Sequence, residues 1–118
     1  MKFKTPLALI LFLSIFGLVA ATASAAEHKD AEKNVAQFTT LKCNMCHSLE
    51  RFEVKATITK EEMLGPDLGY VGDQHDAEWI TQWLEGKVEL EGKTHKSKWK
   101  GTAKDLEEIS AWLATLKK

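Results

Sequence analysis

Beyond residue 26 the apolar positions fall into three helical patterns separated by polar stretches. Glu27 to Lys42 sets Val35, Phe38 and Leu41 on one helical face, with Lys29, Glu32 and Lys33 nearer the other. An amphipathic helix is predicted there, with Asp30 as its start cap. Ser48 to Met63 is polar and weakly patterned, so loop is expected. Within it, Thr59-Lys60-Glu61-Glu62 has the S/T-x-x-E form of a capping box and predicts one helical turn. Asp76 to Glu85 brings Trp79, Ile80, Trp83 and Leu84 to one face, with Asp76 as cap and Gly86 as terminator. Glu85 to Lys100 is charged and punctuated by glycine, and reads as a loop holding His95 and Trp99. Thr102 then caps a last helix, with Asp105 at the capping-box position. Its apolar face is Leu106, Ile109, Trp112, Leu113 and Leu116, and Lys117 and Lys118 suit the C-terminal end of the helix dipole. No run of β-branched strands appears, so the expected fold class is all-α.

The start of the chain has a different character. Lys2 and Lys4 precede an apolar run, Leu7 to Val19, broken only by Ser14 and Gly17. The small residues Ala20 to Ala26 follow, and cleavage after Ala25 or after Ala26 satisfies the small-residue rule equally well. Residues 1–25 are therefore expected to be a secretory signal peptide and 26–118 the mature domain. The competing reading is an uncleaved membrane anchor, but the run is shorter than the ~20 residues a spanning helix needs. Stable membrane insertion after cleavage is not expected.

The mature chain of about 92 residues is enough for one small domain with a modest core, a size at which a covalent or metal staple is common. Loss of Lys2 and Lys4 takes the formal charge from −1 to −3. No basic arm or stripe remains to suggest a nucleic-acid partner.

The sharpest chemical signal is Cys43-Asn44-Met45-Cys46-His47. Two thiols three positions apart can reach the two vinyl groups on one edge of a porphyrin, and the histidine that follows can coordinate the iron from the proximal face. The motif C-x-x-C-H thus predicts one covalent haem c, held by Cys43 and Cys46 and ligated by His47. These are the only two cysteines. A thioredoxin-like couple would require a βαβ context, a zinc site four ligands, and a disulfide across two residues would be strained. Gly65-Pro66-Asp67-Leu68 adds a second clue. A ligating histidine usually donates its other ring N–H to a partner such as a backbone carbonyl, and Pro66 is the candidate partner for His47.

With these elements in order, the mature chain resembles the class I c-type cytochromes over essentially its whole length. The likeness rests on the first helix with Phe38, on Cys43-Asn44-Met45-Cys46-His47, and on Gly65-Pro66-Asp67-Leu68. It continues through Glu78-Trp79-Ile80-Thr81-Gln82-Trp83-Leu84 and the last helix around Trp112. The resemblance implies a small helical fold wrapped around one haem, with Phe38 and Trp112 meeting where the first and last helices cross. It also implies a distal methionine in the loop before the last helix. Here that loop reads Gly92-Lys93-Thr94-His95-Lys96-Ser97-Lys98-Trp99, without methionine. His95 stands where the distal ligand is expected, so metal ligation by His47 and His95 is the reading carried forward. Imidazole in place of a thioether lowers the potential. Met63, His75, a lysine or water are the competing distal ligands, and a solvated loop residue is the plain alternative for His95.

The expected function is that of a periplasmic monohaem electron carrier, not an enzyme, and monomeric. A haem-based sensor or gas-binding protein with a vacant or displaceable distal position is the alternative; a peroxidase would need distal acid–base groups and normally a larger fold. Lys87, Lys93, Lys96, Lys98, Lys100 and Lys104 lie on or beside the distal loop. If they ring an exposed haem edge, they favour acidic redox partners.

Overall fold

The computed structural model describes residues 19–118, with side chains from residue 28 onward. Of the expected leader, residues 1–18 lie outside the described residues. Among the described residues there are three α-helices: α1 (Val19–Thr40), α2 (Ala77–Leu84) and α3 (Ala103–Thr115). Single 3-10 turns occupy Cys43–Met45, Glu50–Phe52, Glu61–Met63 and Val71–Asp73. There is no strand among these residues, only isolated bridges pairing Leu49 with Val54 and Leu90 with Lys93. The described fold is all-α.

The caps of the last two helices follow from side-chain chemistry. Asp76 accepts the Trp79 N–H at 2.8 Å, and the Thr102 hydroxyl accepts the Asp105 N–H at 3.1 Å. Each satisfies one of the orphan donors at a helix start. Gly86, at φ 74°, follows α2 in the left-handed conformation that closes a helix C-terminus.

Four expectations are corrected. Asp30 is not a start cap: α1 is already under way at Val19, and the Asp30 carbonyl accepts from Asn34 Nδ2 at 2.8 Å inside the helix. The small-residue stretch 20–26 has helical backbone in the full chain and lets the helix run on upstream. The same helix stops at Thr40, because Lys42 turns left-handed at φ 61° and ψ 22°. The turn at Glu61–Met63 forms, but Lys60 stands at its cap position with no side-chain cap, so the Thr59 capping box is not made. Lys117 and Lys118 lie beyond the last turn of α3, where the chain end docks on the Gly69–Asp73 segment instead. There the Gly72 N–H donates to the Leu116 carbonyl at 2.9 Å, and Arg51 reaches the carbonyls of Gly69 and Lys117.

The core lies where α1 meets α3. Phe38, Leu49, Ile80, Ile109, Leu113 and Leu116 form one buried cluster, with Phe38, Leu49 and Ile109 at zero exposure. Each fully buried side chain of this size contributes roughly 1.5–3 kcal/mol, so the core is small in absolute terms. Gln37 reinforces the crossing by donating to Asp105 and Glu108 on α3 at 3.2 and 3.1 Å. Trp112 packs against the cluster, and its aromatic ring partner is Phe52, with centroids 5.7 Å apart. α2 lies on α3 and adds Ile80 from its inner face.

Candidate functional site

Immediately after Lys42 reverses the backbone, Cys43–Met45 forms a 3-10 turn closed by the His47 and Cys46 N–H groups on the Cys43 carbonyl. The carbonyls of Asn44, Met45 and Cys46 are taken from outside the motif. Thr57 and Ile58 donate to Asn44 and Met45 at 3.0 and 2.9 Å, and Gly65 donates to Cys46 at 2.8 Å. The polar stretch without helical pattern thus clips the motif in place.

His47 is half-buried, and its Nδ1 lies 2.7 Å from the Pro66 carbonyl. A carbonyl only accepts, so Nδ1 carries the proton and Nε2 keeps its lone pair. Gly65 explains how backbone and ring come so close. A Cβ there would sit 2.2 Å from His47 Cε1 and 2.5 Å from Nδ1, so no larger residue fits against the imidazole as it stands. Burial holds His47 below the ordinary imidazole value, and a charge on His95 pushes the same way; the Pro66 carbonyl and Asp67 oppose them. The neutral imidazole so favoured is the form a metal takes.

Asp67 anchors the turn behind this ring. It accepts from the Ser48 hydroxyl at 2.7 Å and from the N–H groups of Glu50 and Gly69, both at 2.8 Å. Burial opposes its charge, but these three hydrogen bonds and the charge of His47 hold the carboxyl below its ordinary range.

His95 lies opposite. Its ring centroid is 6.1 Å from that of His47, and the two planes are within 11° of parallel. Its Nδ1 also meets a carbonyl, that of Ser97. Both histidines therefore offer Nε2. Metal–imidazole bonds are about 2.0–2.1 Å long and a ring centre lies about 1 Å behind its nitrogen, so two imidazoles flanking one metal have centroids about 6 Å apart. The observed separation fits that spacing. His75, the other histidine near these segments, stacks on Trp79 at 3.5 Å and not on His47. Met63 is largely exposed on the turn before Gly65.

Cys43 and Cys46 are both half-buried free thiols. Burial pushes Cys43 up to about 11, opposite to the lowered thiol of a thioredoxin-type couple. Among the described residues, no three His, Cys, Asp or Glu side chains are grouped to hold a metal ion, and no helix is long and apolar enough to cross a membrane. Large apolar side chains are nevertheless exposed along these segments: Met45 within the motif, and Met63 and Leu64 beside Gly65. Two free thiols, two near-parallel imidazoles and exposed apolar side chains in the motif and beside Gly65 are a donor set and surroundings that suit a covalently attached porphyrin.

The lysines of the distal half are partly engaged. Lys87 pairs with Glu85 at 3.1 Å, Lys104 with Glu108 at 3.8 Å, and Lys96 donates to the Glu62 carbonyl. The sequence pattern missed this last contact, and it missed Leu49, buried within a stretch read as polar loop. Comparison with models of known families, with curated proteins and with solved structures gives no match to the chain.

Proposed function

We propose that the chain is a small c-type cytochrome of the class I kind, a one-electron carrier acting outside the cytoplasm. One haem c would be held by thioethers to Cys43 and Cys46, with His47 and His95 as axial ligands. The observation that carries this reading is the facing pair of imidazoles beside the CxxC thiols, each with Nδ1 occupied by a carbonyl and Nε2 left for a metal.

Bound haem supplies a one-electron ferric/ferrous couple, whose potential bis-imidazole ligation sets low. The protein's own residues do the rest. Pro66 fixes the tautomer and ring orientation of His47, and the Ser97 carbonyl sets the tautomer of His95. Gly65 lets the backbone pass directly against the His47 ring, where any Cβ would clash with it. Two protein ligands leave no open position for substrate, so the site supports electron transfer and no bond-making chemistry. Acidic redox partners fit the lysines of the distal loop.

A sensor or gas-binding role is the second reading, favoured by the high exposure of the loop that carries His95.

The deciding experiment is the visible spectrum of purified exported protein in both oxidation states, on wild type and His95→Ala. Covalent haem that resists acid–acetone extraction, low-spin in wild type and high-spin in the variant, is expected. Extractable haem, or a variant still low-spin at unchanged potential, defeats the assignment. Carbon monoxide binding by unaltered ferrous protein selects the sensor.

A further inference from the structure

The four aromatic rings leading up to His47 form a continuous column. His75 stacks on Trp79 with centroids 3.5 Å apart and planes within 12°. Trp79 stacks on Trp83 at 5.3 Å and 13°, and Trp83 meets His95 in an edge arrangement at 5.8 Å and 66°. Trp79 and Trp83 are four residues apart on α2, so helical spacing alone sets one above the other. Trp79 also covers the core cluster, as an apolar residue on that face should. Trp83 does not belong to the cluster's partners, so core packing leaves its position unexplained. Its ring partners are Trp79 on one side and His95 on the other.

His95 needs such a support. The stretch from Leu90 to Lys98 is exposed except at His95 itself, and its backbone ties are a turn between Leu90 and Lys93 and the next segment's Trp99 N–H on Leu84. The Ser97 carbonyl is only two residues away and moves with the loop. Trp83 stands on a capped helix packed against α3 and is the rigid body that His95 touches.

We infer that Trp83, backed by Trp79 and His75, is the positioning residue of the distal imidazole. It holds His95 at ligating distance and fixes its ring plane parallel to that of His47. This inference rests on the axial-ligand reading above. Aromatic edge contacts shift equilibria roughly two- to twelvefold, so loss of the ring should favour dissociation of His95 from the iron by that factor.

The experiment uses holoprotein of wild type, Trp83→Phe, Trp83→Leu and Trp83→Ala. Two readouts report on His95: the low-temperature electron paramagnetic resonance spectrum, whose rhombicity follows the angle between axial imidazole planes, and the affinity of ferrous protein for carbon monoxide. Near-parallel planes predict a rhombic wild-type signal. Trp83→Leu and Trp83→Ala should broaden or shift it and raise carbon monoxide affinity two- to twelvefold, whereas Trp83→Phe keeps both near wild type. Trp83→Leu retains apolar bulk, so it answers the question even if Trp83→Ala does not fold. The inference is overturned if Trp83→Leu and Trp83→Phe behave alike, or if stability falls while rhombicity and affinity stay fixed. Wild-type protein without covalent haem, or an unchanged low-spin spectrum in His95→Ala, would instead remove the axial-ligand reading on which it stands.

Discussion

His47 and His95 face each other, but the chain holds them by different means. Around His47, the motif carbonyls are taken by Thr57, Ile58 and Gly65, the ring is tied to Pro66, and Asp67 gathers three further donors behind it. Around His95, the neighbours are Trp83, the Lys96 contact to Glu62 and a carbonyl two residues along the same loop, of which only Trp83 stands on a helix. Backbone hydrogen bonds that span long sequence separations open only with the fold, whereas an exposed loop opens locally at a fraction of the global free energy. The His47 side is therefore built to persist and the His95 side to yield, so with the proposed haem in place His95 should leave the iron while Cys43, Cys46 and His47 still hold the group.

The contrast is broken most severely at the ligands themselves. His47→Ala should yield no stable low-spin holoprotein, while His95→Ala should retain covalent haem in a folded, high-spin form; haem stain on denaturing gels and visible spectra check both. Equal loss of holoprotein in the two variants would show that the sides are not different after all. Next in size is Gly65→Ala, which drives a methyl into the His47 ring. Overpacking of this kind costs about 1–3 kcal/mol and should be read as a lower thermal midpoint with a disturbed proximal bond.

Asp67→Asn should cost no more than about 1 kcal/mol, since hydrogen bonds to a charged acceptor are stronger than those to a neutral one but solvent screens this exposed carboxyl. The pH dependence has a definite sign. Because the folded carboxyl sits below its ordinary value of 3.8, the unfolded chain binds the proton more readily, and Asp67 contributes stability that is complete above that value. The contribution fades as pH falls through the lower folded value. Denaturant titrations of wild type between neutral pH and pH 3 should show this loss, and Asp67→Asn should lack that component. The smallest effect belongs to the distal side: Lys96→Ala should change global stability by no more than about 0.5 kcal/mol. A loss as large as that of Gly65→Ala would make Lys96 a clamp and reverse the contrast.

What could be read in advance follows the same division. Asp76, Thr102 and Gly86 act through their nearest neighbours, and their roles were legible because capping is local chemistry. The partnership of His47 with Pro66 spans nineteen residues yet was also legible, because a Gly-Pro turn in a chain with a CxxCH motif offers a free carbonyl for the histidine's second ring N–H. Leu49 was not, since it enters the core through a single bridge to Val54, without helical or alternating neighbours to announce it. The ring column was hidden for a related reason: helical spacing puts Trp79 and Trp83 together, but nothing in the sequence says that the loop carrying His95 returns to meet Trp83. Asp30 and Thr59 failed as caps because a capping residue matters only where a helix begins, and upstream residues decided that.

The left-handed Lys42 has a geometric consequence. Four residues separate Phe38, locked in the core, from Cys43, and the last of them reverses the hand of the backbone. Each helical residue rotates the chain by about 100°. One residue inserted before Lys42 would swing the thiol pair through more than a quarter circle relative to the core, with no slack downstream to absorb it. The interval between helix and motif is thus a phase as much as a length, and a two-residue change would be no milder than a one-residue change.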